Sequence, residues 1–423
     1  MDRSIPPKIS VVSSVNVPAP KKRFLSNGIP VFSFDLSDQK IIRIEVVFRS
    51  GTAHQSRNLV ADFTSRMMAE GTSSRSGVEI ANEFDYYGSF FTHSVSKDFT
   101  TFSLYCLTKY ARESINVFSD ILKNPIFPEK EFETKKRNAL QSFKVNSDKV
   151  SVLCKREFGK RLYQNNHPYF TDIHEENFDL NTNLLIQHQK NYLNFSDAVI
   201  FLSGYVQEDL IECMDAKFGN LNVEDIEKPI VKRVMASKGG RAGVEKLDAI
   251  QSGIRIGRIL SLRRSDPDYV PFVVLNTILG GYFGSRLMSN IREDKGYTYG
   301  IGSGLIRNIA STVFLISTEV NAEHTENTVN EVEKELQRLQ KELVSESELD
   351  RVKNFLTGSY LKKSDGPFNI CDQFKSYYLY GLNESYNTTY LSELQDVSAE
   401  KIRSIAVKYL NFDDMLQVIA GKL

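Results

Sequence analysis

An α+β fold built from two similar halves is predicted, because the chain is written twice. One succession of patterns runs from Ile41 and returns from Ile254, with a period near 210 residues: Gly71 and Gly281 occupy matching places. Within each half, short β-branched runs are interleaved with stretches of helical periodicity, the mark of a mixed architecture.

The elements follow in order. IIRIEVVF, from Ile41 to Phe48, reads as a strand. A helix pattern from Leu59 to Glu70 comes next and closes on Gly71. Their counterparts are IRIGRILSL from Ile254 and a helix pattern from Tyr269 to Leu279, closing on Gly280 and Gly281. Then FTTFSLYCL from Phe99 is matched by STVFLISTEV from Ser311. Each leads into an amphipathic helix, ARESINVFSDIL from Ala111 and ENTVNEVEKELQRLQKEL from Glu326. The latter places Val329, Val332, Leu336, Leu339 and Leu343 at three- and four-residue spacing, a core-facing stripe. A further helix begins in each half. Pro128 marks the first, at a favoured first-turn position, and Ser345 with Glu348 forms a capping-box pattern for the second. The division expected is an extended arm over residues 1–23, a first half over 24–228 and a second over 229–423. The joint falls in the polar stretch from Asn222 to Gly243, which contains Gly239, Gly240 and Gly243.

Composition narrows the function. The 53 basic and 53 acidic residues cancel, which argues against a nucleic-acid binder. No apolar run is long enough to span a membrane. The N-terminus lacks the apolar core of a secretory signal, which favours cytoplasm over periplasm. Cys106, Cys154, Cys213 and Cys371 are far apart, form no C-x-x-C, and read as small buried residues in a reducing compartment. No two of the six histidines are spaced i, i+4; His167 and His174 beside Glu175 and Glu176 read as a solvated polar loop. No nucleophile elbow and no phosphate-binding glycine loop occurs.

Three segments carry a family resemblance. LVADFTSRMMAEGT, Leu59 to Thr72, resembles the active-site helix of the pitrilysin/insulinase family of zinc metallopeptidases, whose pattern is H-x-x-E-H. The framing Leu59, Phe63, Met67, Met68, Gly71 and Thr72 are kept, but Asp62, Ser65 and Arg66 stand at the His, Glu and His positions. LGGYFGSRLMSNIREDKGYTYGIGS, Leu279 to Ser303, is similar to the signature of the family's C-terminal domain. KKRNALQSFKVN resembles the helix that supplies the third zinc ligand, with Lys136 and Phe143 at its two Glu positions. The resemblance runs from about residue 24 to 423. It implies that each half is a mainly antiparallel sheet packed with helices, related by duplication.

Bottom-up chemistry argues against zinc in this chain. Zinc takes about three N, O or S ligands and an open position for water. Only Asp62 is a ligand type; Arg66 brings a fixed positive charge, and the two lie four apart on one helical face, within reach of each other. Ser65 has no basic group to activate water, and Phe143 cannot coordinate.

The second half retains Arg292 and Tyr299. By resemblance, the Tyr donates a hydrogen bond to the scissile carbonyl and the Arg positions the peptide, in trans, at a partner's zinc site. Read without the resemblance, the pair is an Arg at a helix end and a Tyr in a sheet, with Gly296 permitting the turn between them. The expected function is therefore a non-catalytic subunit of a heterodimeric zinc peptidase. The partner would be a homologous chain bearing H-x-x-E-H and the zinc, and the ligand a peptide. The alternatives are a structural or assembly subunit and a peptide-binding homodimer. Gly88 to Phe102 resembles the strand region beside the family's active site, and reads equally as an ordinary half-buried strand.

Overall fold

Strand IIRIEVVF alternates Ile42, Ile44, Val46 and Phe48 toward one face and Arg43, Glu45 and Val47 toward the other, and all seven are buried. A strand buried on both faces needs cover on both sides, and that requirement organises the molecule. The computed structural model describes residues 12, 15–163, 167–223, 228–382 and 385–422.

The first sheet holds β1 (Lys21–Phe24), β2 (Pro30–Asp35), β3 (Ile41–Phe48), β4 (Phe90–Val95), β5 (Thr100–Leu107) and β6 (Val199–Gly204), in the order β1-β2-β6-β3-β5-β4. The second holds β7 (Gly240–Glu245), β8 (Gln251–Leu260), β9 (Thr298–Asn308), β10 (Ser311–Asn321) and β11 (Leu416–Gly421), in the order β7-β11-β8-β10-β9. Apart from the extra β1, the orders correspond strand for strand, and each sheet has one parallel pair, β2–β6 and β7–β11, among antiparallel neighbours. The duplication read from the sequence is thus present in the topology.

The first half carries α1 (Val60–Met67), α2 (Gly77–Tyr87), α3 (Ala111–Lys123), α4 (Glu129–Asn146), α5 (Val150–Tyr163), α6 (Thr182–Tyr192) and α7 (Glu208–Met214). The second carries α8 (Tyr269–Asn276), α9 (Thr325–Lys341), α10 (Glu346–Lys363), α11 (Pro367–Tyr378), α12 (Ser385–Asp396) and α13 (Ala399–Tyr409). Helices α1, α3 and α6 join one face of the first sheet in a core; α8, α9 and α13 do the same for the second.

The opposite faces are covered by exchange. Helix α11, from the second half, lies on the first sheet: Ile370, Phe374 and Tyr377 pack with Phe32, Phe34, Val47 and Phe201. Helix α5, from the first half, lies on the second sheet: Cys154, Phe158 and Leu162 pack with Ile259, Val313 and Val418. Cys154 Sγ donates to the Val418 carbonyl at 3.2 Å, and Tyr163 Oη lies 2.8 Å from Ser311 Oγ.

Several boundaries differ from the sequence reading. The arm over residues 1–23 falls mostly outside the described residues, and its end, from Lys21, belongs to β1. Gly240 and Gly243 lie in β7, paired with β11, rather than in the joint. Leu343 is 47% exposed, because α9 ends at Lys341 and the chain turns extended before the stripe reaches it. Pro128 precedes α4 as its cap residue, with extended ψ, instead of entering the first turn. The helix from Tyr269 stops at Asn276 and passes into a wider π turn, Thr277–Gly281. All four cysteines are free and buried.

Candidate functional site

Two clusters contain the residues singled out above. The first is built on α1. Leu59, just ahead of the helix, has φ +75°, a left-handed conformation unfavourable for a branched residue, while Gln55 Oε1 accepts from the Ala61 N–H at 3.3 Å. On the helix, Asp62 Oδ2 and Arg66 Nε are 2.7 Å apart, with both side chains partly exposed. Ser65 is 1% exposed and donates its hydroxyl to the Ala61 carbonyl at 3.0 Å, so that group is spent on the helix itself. Phe143, on α4, is half-buried and its ring lies 5.4 Å from Phe178, which in turn meets Phe63 of α1 at 6.5 Å. The structure therefore links Phe143 to α1 through the Phe178 ring, as an apolar prop. Lys136 turns away, donating to the Leu180 carbonyl at 3.2 Å.

His93, on the edge strand β4, is the neighbour that sequence reading did not place here. Desolvation lowers its pKa, and the charges acting on it after that are Asp62, which raises it, and Arg66 and Lys135, which lower it. No sequence spacing links residue 93 to α1; only the packing of β4 against the helix does.

The second cluster is built where a π turn meets the edge strand β9. Gly280 has no room for a side chain: a Cβ would stand 2.7 Å from the Ser303 N–H nitrogen. A second π segment, Met288–Asp294, carries Arg292, and Gly296 at φ +66° reverses the chain into β9. Opposite the start of β9, β10 shifts register between Thr318 and Val320, and Thr298 Oγ1 sits 2.9 Å from Thr318 Oγ1. Tyr297 turns back to stack on His324 at 4.3 Å, while Tyr299 projects into solvent, 94% exposed. The Arg292 guanidinium lies 5.7 Å from the Tyr299 ring centroid and 4.7 Å from that of Phe283. Arg292 and Tyr299 are thus neighbours, and Phe283 joins them as a third, exposed member. The signal for Phe283 was its presence, large and apolar, inside a glycine turn. Among the described residues, no hydrogen bond, ion pair or ring contact connects the two clusters.

Comparison with known proteins places this arrangement. Residues 31–168 match the model of insulinase, peptidase family M16, and residues 179–356 match that of the peptidase M16 inactive domain. The chain belongs to the M16 peptidase family. It is 22% identical over 95% of its length, and 98% of the relative's, to a protein of Bacillus subtilis named "Uncharacterized zinc protease YmxG". It is 23% identical, over 89% and 88%, to the "Non-peptidase homolog YmxG" of Helicobacter pylori. The solved peptidase M16 inactive domain from Pseudomonas fluorescens superposes with a TM-score of 0.87 at 25% identity, covering 97% of this chain and 99% of that one.

The zinc centre that M16 membership implies does not fit the residues present. The positions that resemblance matches to its ligands and base hold an ion pair closed upon itself, a back-bonded serine and a phenylalanine. Among the described residues, no three of His, Cys, Asp and Glu converge as metal ligands, and no helix is long and apolar enough to cross a membrane.

Proposed function

We propose that this M16 chain is the non-catalytic subunit of a two-chain zinc peptidase. Its partner is a homologous chain bearing H-x-x-E-H and the metal. The carrying observation is the contrast between the two clusters. One is filled by its own salt bridge, while the other presents an exposed Tyr299 steadied by Arg292. In the assembled enzyme, Tyr299 Oη donates to the scissile carbonyl as negative charge develops on its oxygen, and Arg292 holds the peptide beside it. Such donors, aimed where charge appears, contribute several kcal/mol of barrier lowering. Among the described residues, β4 and β9 end their sheets without a further strand, which suits peptide capture by strand addition.

Tyr299→Phe tests the reading. Cleavage by the reconstituted pair should fall about 100- to 1,000-fold in kcat with subunit association unchanged. Partner-dependent cleavage that ignores the substitution removes the basis for the reading. If native purification returns only this chain, with no zinc and no cleavage of added peptides, the chain is a peptide-binding homodimer or an assembly subunit.

A further inference from the structure

A cleft of about 1030 Å³ opens where Arg49 of the first half meets the second half. Six cations line it: Arg49 just beyond β3, Arg233 in the segment joining the halves, Arg263 and Arg264 in the loop between β8 and α8, Arg307 near the end of β9, and Lys363 at the end of α10. Among the described residues one carboxylate, Asp372, shares the lining, and it is engaged by Arg43 at 3.0 Å and Lys375 at 2.9 Å. Arg264 Nη1 donates to the Ser376 carbonyl at 2.8 Å and Arg307 to Tyr269 Oη, so those two guanidinium groups are fixed in the wall. None of the ion pairs among the described residues involves Arg49, Arg233, Arg263 or Lys363. In a chain of zero net charge, such a one-sided lining is unexpected.

Arg233 separates this from an ordinary solvated basic face. Its Nη2 is buried without a hydrogen-bond partner, and its Nε has only the Met235 sulfur, at 3.1 Å. Its pKa is lowered by burial first and then by the nearby Arg263 charge, with the Asp266 carboxylate opposing the shift. A guanidinium N–H buried without a partner, in the field of a second guanidinium, has hydrogen-bonding capacity to give an anion.

The geometry points to a binding site for a multivalent oxyanion, clamped between Arg233 and Arg263 at the junction of the halves. Guanidinium forks match the paired oxygens of phosphate and carboxylate, and the cleft has the size of sites that hold ordinary small-molecule ligands. The site is separate from Tyr299: Arg307 stands eight residue steps further along β9, roughly 26 Å of extended chain. Because Arg49 comes from one half, Arg233 from the joint and Arg263 from the other half, the anion would tie the halves together.

Calorimetric titration of the full chain at constant ionic strength tests this, with tripolyphosphate in one arm and citrate in the other. One anion bound per chain, with tighter binding in one arm, identifies the ligand as phosphate-bearing or polycarboxylate. Arg233→Gln with Arg263→Gln should weaken that binding more than tenfold. Arg112→Gln with Lys144→Gln, which removes the same charge elsewhere, should leave it unchanged. The first double variant should also melt no lower than the parent without ligand, since it relieves like-charge crowding. Failure of both anions to bind, or equal weakening by both double variants, overturns the proposal.

Discussion

Arg66 brings a positive charge to the helix that resembles the family's zinc helix, and Asp62 is its counter-ion. An exposed i, i+4 pair contributes only about 0.3–0.5 kcal/mol, so its effect on the fold is small and its effect on the site is decisive. Asp62→His with Arg66→His should bind zinc weakly, through two ligands. Adding Phe143→Glu should tighten binding at least tenfold in a chelator competition, because three ligands make a site. If the third change adds nothing, Phe143 is not at the ligand position. His188 gives a pH dependence. It is 3% exposed with neither ring nitrogen hydrogen-bonded, and burial, followed by the His54 and Lys228 charges, holds its pKa down to about 4. The unfolded chain takes up that proton near pH 6.5 and the native protein does not. Stability is therefore full above about pH 6.5 and falls toward pH 4, by about 3 kcal/mol. Denaturation midpoints across that range should show the loss, and His188→Phe should flatten it. At this scale the sequence was legible where contacts are local. Asp62 with Arg66 follows from helical spacing, whereas His93 and Phe283 enter their clusters through packing that no spacing encodes.

Among the elements, α11 is the one whose role was hidden. Arg43 and Glu45 alternate with apolar residues in β3, a pattern that would ordinarily place them in water. Instead Lys375 Nζ meets Glu45 Oε1 at 2.7 Å, and Arg43 reaches Asp372 and, at 3.0 Å, the Phe368 carbonyl. Their partners arrive from a helix some 330 residues away, which is why the strand itself was readable and its second cover was not. Removing one member of such a buried network strands the others. Glu45→Gln should cost about 3–5 kcal/mol in urea denaturation. Phe374→Ala, at the aromatic centre of the same contact, should cost a similar amount through the cavity it leaves. A loss under 1 kcal/mol in both would mean that α11 is dispensable cover.

Across the whole molecule, the repeat announced two halves and the matching strand orders bear this out, but no pattern in the chain announced that each half finishes the other. Local patterns encode the strands and helices of each copy, while the swap of α5 and α11 is a choice between chemically equivalent partners. Chains cut between residues 228 and 229 should therefore fold poorly when expressed singly, each sheet showing a bare apolar face, and should recover native circular dichroism when mixed. The intact protein should unfold in one transition. The exchange also has a consequence for descent. Once each copy had handed its twin a cover, neither could be discarded without denaturing the survivor. Such a lineage can lose the chemistry of its first copy freely while inheriting its shape unchanged, and α1 holds its place in the core with Asp62 and Arg66 paired upon it.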